Sequence, residues 1–121
     1  MPSPRKSERG QATLELALSL PLLALFLLAG AQLVLIARDQ LAVIHAAREA
    51  ARAAAVSTSA GDGVAAGRSA TGLAGVEVSV SSGGGEVRAT VTRRVPTDVP
   101  LIGAWLPDIT VRATAVMRAE P

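Results

Sequence analysis

The chain changes its pattern of apolar and polar residues twice between its two ends. Residues 16–37, LALSLPLLALFLLAGAQLVLIA, carry no charged side chain. Residues 38–56 mix charges and alanines at helical spacing, and from Val76 onward apolar and polar residues alternate. These patterns predict, in order, a long apolar helix, an amphipathic helix that continues it, and a small β-sheet. The expected fold class is therefore α+β.

The apolar run is long enough to cross a membrane. At about 1.5 Å per residue, residues 16–37 form a helix roughly 33 Å long, which covers a bilayer hydrocarbon core. Its ten leucines dominate the run, and with the other large apolar residues they contribute on the order of −4 to −8 kcal/mol to insertion. A buried core helix is a weak alternative, because a chain of 121 residues could hardly surround such a rod. We predict a transmembrane helix over residues 11–37, preceded by a basic leader at 1–10.

Two features inside the run bear on its shape. Pro21 has no N–H for the carbonyl of Ala17, which predicts a bend near that point. Ala29, Gly30 and Ala31 form a smooth patch where another helix could approach closely. Simple tolerance of small residues explains the patch equally well.

The flanking charges predict the orientation. Arg5, Lys6 and Arg9 precede the run, whereas the two charges directly after it cancel. This excess places the N-terminus in the cytoplasm and the C-terminal part outside. Past Gly10 the chain has nine basic and nine acidic residues. Nucleic acid is therefore not an expected partner, since binding it needs surplus positive charge.

Residues 38–56 are predicted to extend the helix beyond the membrane. One face is expected to pack on the protein's own sheet or on sibling subunits, and it comprises Leu41, Ile44, Ala47, Ala51 and Ala55. Four charged residues are expected largely off that face, namely Arg38, Asp39, Glu49 and Arg52.

The remaining residues are predicted to form a loop and a sheet. Residues 57–75 read as a flexible loop with a possible short helix capped by Asp62. Residues 76–121 read as a small antiparallel sheet of three strands, the first two joined at SSGGG. The inward positions are Val76, Val78 and Val80, then Val87, Ala89 and Val91, then Ile109, Val111, Ala113, Ala115 and Met117.

The sequence offers no set of residues for catalysis. It has no cysteine and a single histidine, His45, which reads as a helix-surface residue near Glu49. We see no nucleophile–histidine–acid trio, no metal cluster and no informative carboxylate pair, so we expect no enzyme, no cofactor and no small-molecule substrate. Arg93 and Arg94 read as solvated surface. Trp105 is expected to cover the end of the sheet, with a membrane interface or a subunit contact as alternatives.

Glu15 places a carboxylate directly before the apolar run, where a charge is costly unless it has a partner or a function. The stretch RGQATLEL at residues 9–16 suggests such a function. It resembles the processing site of type IV prepilins. In that resemblance Gly10 precedes the cut, Gln11 begins the product and Glu15 is its fifth residue. The chain departs from the pattern of such sites at Leu16, because an aromatic residue often follows the glutamate there. The alternative for Glu15 is a favourable place in the first turn of a helix, worth up to ~1 kcal/mol through the helix dipole.

The wider N-terminal stretch resembles the TadE family of pilus assembly proteins. The resemblance covers residues 9–56 and rests on Gly-Gln-Ala-Thr-Leu-Glu at 10–15, Leu-Pro-Leu at 20–22 and Ala-Ala-Arg-Glu-Ala-Ala-Arg at 46–52. It implies a pilin-like shape and a minor pilin or pseudopilin role in a Tad/Flp-type pilus or a related secretion apparatus. It also implies a place in the bacterial cytoplasmic membrane or in a surface pilus. The implied partners are a prepilin peptidase, sibling pilin subunits and the inner-membrane pilus platform.

Two alternatives remain open. The protein could be a membrane-anchored assembly factor that never enters a filament. It could instead be a secreted binding module released by signal peptidase after Ala31. The second alternative has to explain why QLVLIA continues the apolar run beyond that site.

Overall fold

The computed structural model describes residues 5–97 and 103–120, with side chains from Glu8 onward. Helix α1 spans Arg5–Ser57 and helix α2 spans Ala60–Thr71. Three strands follow, β1 at Val76–Gly83, β2 at Glu86–Val95 and β3 at Ile109–Arg118. This arrangement confirms the α+β class and the three predicted strands.

Helix α1 joins the predicted membrane segment and its continuation without a break. It has 53 residues and contains Pro21 in its interior. Its N-terminal half makes no packing contacts that bury it, because none of its most apolar stretch is buried against the rest of the described chain. The remaining elements contact the C-terminal half of the helix, from Gln32 onward.

The segment after α1 holds more structure than a loop. Thr58 has a positive φ of 58°, and the chain then enters the twelve residues of α2. The cap of α2 is Ser59, in extended conformation, rather than Asp62 as predicted. Asp62 lies in the first turn instead, where the helix dipole favours a carboxylate.

The sheet has the order β1-β2-β3 with both pairs antiparallel. Gly84 and Gly85, with φ of 62° and 80°, link Gly83 to its partner Glu86. Two consecutive positive φ angles are typical of a two-residue type I′ hairpin. The glycine run therefore forms the tight connection that the sequence predicts.

The core lies between α1 and one face of the sheet. The buried apolar residues of α1 are one valine and six alanines. They are Val43, Ala46, Ala47, Ala50, Ala51, Ala54 and Ala55. The sheet contributes Val87, Ala89, Val91, Val95 and Val111. The prediction for Leu41 is wrong, since this side chain is 68% exposed. A helix turns by about 100° per residue, which puts Leu41 about 120° away from Ala47 and off the face that meets the sheet.

Helix α2 packs so closely that it needs glycine at the contact. Gly63 and Gly67 are its buried residues. A Cβ added at Gly63 would lie 2.7 Å from the Cβ of Ala54 and 2.8 Å from the backbone oxygen of Ala50. Small residues on both helices therefore set the distance between them.

Candidate membrane and assembly segment

The apolar segment, residues 14–35 of α1, presents its large side chains outward. Leucines along its whole length are exposed, and so is Phe26. Such a surface in water would carry a large unfavourable free energy, at about 25 cal/mol per Å² of apolar area. Lipid chains or other apolar helices are the surroundings that this segment fits.

The predicted processing residues lie at the start of this segment. Gly10, Gln11 and Glu15 are all exposed on helical backbone. Space around Gly10 is open, with no atom within 4 Å of an added Cβ. Glycine lowers helix stability by about 1 kcal/mol relative to alanine, so unwinding of the backbone at Gly10 costs less than it would at an alanine. The structure leaves this peptide bond sterically accessible.

Glu15 has no described basic side chain within ion-pairing distance. The ion pair in the described part of the chain lies elsewhere, between Arg93 and Asp39. The backbones of Arg5 and Lys6 are helical, but their side chains fall outside the described set, whereas Arg9 is exposed. An unpaired carboxylate at the edge of an apolar rod is costly inside a membrane. The described side chains therefore offer Glu15 no basic partner.

The small-residue patch is also open. Ala29, Gly30 and Ala31 are exposed, and an added Cβ at Gly30 meets no atom within 4 Å. Pro21 is exposed as well. The geometry permits a close helix–helix approach at the patch, which stays a prediction.

Three polar contacts fasten α1 to the sheet domain at and just beyond the C-terminal end of the apolar segment, and we call them the polar clasp. Gln32 Nε2 donates to the oxygen of Pro96 over 3.1 Å. Gln40 Nε2 donates to the oxygen of Arg112 over 3.2 Å. Between them, Arg93 NH1 lies 3.1 Å from Asp39 Oδ1.

The ion pair of the clasp corrects two expectations. Asp39 was expected off the packed face and Arg93 on solvated surface, yet their side chains are only 12% and 17% exposed. Arg93 Nη1 is buried and makes no hydrogen bond among the described residues, so its contact with Asp39 is an ion pair only. Arg94 is exposed, as predicted. The local sequence around Asp39 or Arg93 does not predict this pair, because the pairing depends on how the helix packs on the sheet.

Trp105 does not cover the sheet. Its side chain is 87% exposed, and the neighbouring Leu106 is 47% exposed. The expected role at the sheet end is therefore wrong. The preceding residues 98–102 of the same loop lie outside the described part.

The single histidine, His45, lies on the surface of the domain. His45 is exposed on α1, with Glu49 partly buried one turn later. Among the residues that the structure describes, no three His, Asp or Glu side chains are grouped so that they could hold a metal.

These features define the class as an α+β protein with one helix long and apolar enough to span a membrane. Residues 10–52 match the family model described as TadE-like protein. The segment from Gly10 to Arg52 is thus TadE-like, which confirms the resemblance predicted from the sequence. No curated protein and no solved structure matches the chain significantly.

Proposed function

We propose that this protein is a minor pilin- or pseudopilin-like structural component in the assembly of a Tad/Flp-type pilus or a related secretion apparatus. The family match supports a Tad pilus-related component. The observation that carries the finer proposal is the start of the match at Gly10, the residue predicted to precede the cut. From there the match runs through the whole unburied apolar segment.

Processing by a prepilin peptidase is the first step of the proposal. A cut between Gly10 and Gln11 removes the basic leader and leaves the apolar helix on the product. The open space at Gly10 supports access to this bond. A secretory signal differs physically, because its cleavage would remove the apolar helix itself.

Assembly is the second step, and it gives Glu15 a role. The cut creates a positively charged α-amine at Gln11 near the bilayer. The carboxylate of Glu15 in a neighbouring subunit neutralises that amine, which lowers the cost of both charges in an apolar setting. The same pairing sets the axial register between subunits. Glu15 is exposed and has no described basic partner within its own chain, which leaves it free for such a contact.

The location follows from the same proposal. The chain is a single-pass protein of the bacterial cytoplasmic membrane, with its N-terminus in the cytoplasm and its sheet outside. Its partners are sibling subunits and the inner-membrane pilus platform. The role is structural rather than enzymatic.

Release by signal peptidase after Ala31 fits the structure less well. A cut after Ala31 keeps Gln32 and Ile36 on the product with their contacts to the sheet domain, so these contacts do not distinguish the two alternatives. A cut there would leave the exposed Leu33, Val34 and Leu35 at a new N-terminus. An anchored factor that never polymerises shares all of these features, and only its absence from filaments distinguishes it.

The mass of the mature N-terminus tests the proposal. The purified protein should begin at Gln11, as the free amine or as pyroglutamate. Gly10→Leu should remain uncut, because a large side chain replaces hydrogen at the peptidase site. Gly30→Leu is the matched control, since its position is equally open, and it should be cut normally. A mature start at Gln32 would establish the secretory alternative.

A further inference from the structure

The polar clasp fixes how deep the sheet sits along the apolar helix. Gln32 belongs to the run predicted to cross the membrane, yet its side chain bonds to Pro96 at the end of β2. The membrane-proximal end of the sheet is therefore level with Gln32. A hydrocarbon core of about 30 Å corresponds to about 20 helical residues. The outer boundary of the core then lies near Gln32 and the inner one near Ala12.

The loop between β2 and β3 leaves the sheet at this same level. Thr97 Oγ1 donates to the oxygen of Pro107 over 3.4 Å, which closes the neck of the loop directly after Pro96. Trp105 is two residues before Pro107, so it lies within about 7 Å of the neck. The interfacial layer on each side of a bilayer is of the order of 5–8 Å thick. Trp105 is therefore at interfacial depth if Gln32 marks the boundary.

The surface of this end of the domain suits lipid headgroups. Trp105 and Leu106 are exposed apolar side chains, and tryptophan is enriched at membrane–water interfaces, where an apolar ring and a polar N–H are both accommodated. Arg38 lines the groove beside Pro96, and Arg94 lies exposed one pair from the end of the β2–β3 ladder. Long basic side chains at this level reach phosphate groups while their stems stay among apolar atoms.

We propose that Trp105 and Leu106 dock the sheet domain on the headgroup region of the leaflet at the C-terminal end of the apolar segment. This inference rests on the membrane-spanning part of the proposed function, but it holds for either orientation of the chain. The protein then has two membrane contacts, the helix and the loop. With the boundaries of the hydrocarbon core near Ala12 and Gln32, Glu15 lies about one helical turn inside the core rather than at its edge.

The test uses Trp105 as the single tryptophan of the chain. The full-length protein is reconstituted into phosphatidylcholine vesicles whose acyl chains are unlabelled or brominated near the headgroup. Iodide is present on both sides of the vesicle wall in a parallel sample. Trp105 emission should fall in brominated vesicles and should resist quenching by iodide.

A relocated tryptophan provides the control. W105F combined with Val56→Trp moves the probe to a position that is 63% exposed and about 36 Å further along the helix than Gln32. Its emission should respond to iodide and not to brominated lipid. Circular dichroism of both proteins should be the same, because both positions are on the surface.

Each other result overturns the inference. Quenching of Trp105 by iodide without an effect of brominated lipid would place the loop in water. Protection from both quenchers would place it against a second copy of the chain. Failure of the protein to float with vesicles would contradict the membrane-spanning role itself, which separates that failure from failure of the loop contact.

Discussion

Arg93 on β2 and Asp39 on α1 form an ion pair, 3.1 Å from NH1 to Oδ1, where the sheet meets the helix directly above the apolar segment. Both side chains are largely removed from solvent. The pair lies between Gln32–Pro96 on one side and Gln40–Arg112 on the other. The sheet is thus held by polar contacts at the end nearest the apolar segment and by alanine packing further along the helix.

Removal of one partner should destabilise the sheet domain. Asp39→Ala leaves the Arg93 guanidinium in a poorly solvated site without its counter-charge. We expect a loss of roughly 2–4 kcal/mol in the free energy of unfolding, somewhat below the range for fully buried pairs. Denaturant unfolding of the full chain in detergent micelles, followed by circular dichroism of the sheet, measures the effect.

The double variant is the control for this prediction. Asp39→Leu with Arg93→Met removes both charges and fills the site with apolar atoms, so most of the lost stability should return. Equal stability of Asp39→Ala and the unmodified chain would show that water solvates Arg93 adequately, and the pair would then be a surface contact.

Gly63→Ala should loosen α2 from α1. The new Cβ would overlap the Cβ of Ala54 and the backbone oxygen of Ala50. The cost of this overlap, about 1–3 kcal/mol, exceeds the gain of up to about 1 kcal/mol from replacing a helical glycine. Thermal unfolding in micelles should show a lower midpoint.

Gly61→Ala is the matched control in the same helix. Its nearest atom, Ser59 Oγ, is 3.6 Å from the added Cβ, so the propensity gain should appear without a clash. We expect Gly61→Ala to raise the midpoint of thermal unfolding and Gly63→Ala to lower it. A stabilised Gly63→Ala variant would mean that α2 shifts easily on α1.

The orientation of the chain can be mapped with single cysteines, because the chain has none of its own. Val56→Cys should react with a membrane-impermeant maleimide in intact spheroplasts. Ser7→Cys, kept on the chain by the Gly10→Leu background, should react only after lysis, since Arg5, Lys6 and Arg9 retain the leader in the cytoplasm. The reverse labelling pattern would invert the topology and remove the pilin-like proposal.

Glu15→Leu should separate insertion from assembly. Loss of the carboxylate lowers the cost of inserting the helix, so membrane insertion should be equal or better. Pairing with the α-amine of a neighbouring Gln11 is lost, and co-purification with the pilus platform should fail. Flotation and affinity purification measure the two effects.

Glu15→Gln keeps the size and polarity of the side chain without its charge. It should fail in assembly as Glu15→Leu does if charge pairing is what matters. Normal assembly by both variants would mean that Glu15 serves only the peptidase or the helix start. The mass of the N-terminus accompanies the assay, because pyroglutamate at Gln11 would remove the amine.

The sheet was predictable because its chemistry is local. Alternation of period two along β2 puts Val87, Ala89 and Val91 on one face, and all three are buried. The turn between β1 and β2 is local as well, because Gly84 and Gly85 adopt the positive φ angles that a two-residue hairpin needs. The apolar segment was predictable for the same reason, since its length and lack of charge need no tertiary information.

Other features depended on packing across the chain. An alanine-rich helix offers little contrast between faces, so Leu41 was given to the packed face although the structure exposes it. Asp39 and Arg93 read as surface charges because each meets its partner only in the folded domain. Trp105 was expected to cover the end of the sheet, whereas its side chain is 87% exposed.

The unbroken course of α1 has a mechanical consequence. Residues Arg5–Ser57 form one continuous helix with about 80 Å of helical rise, and the clasp and the alanine contacts join the sheet to its C-terminal half. Helical backbone continues from the part that fits lipid to the part that carries the sheet. An axial pull applied at Gln11 is therefore transmitted to the sheet domain along one continuous helix, in which Pro21 marks the point of weakest resistance to bending.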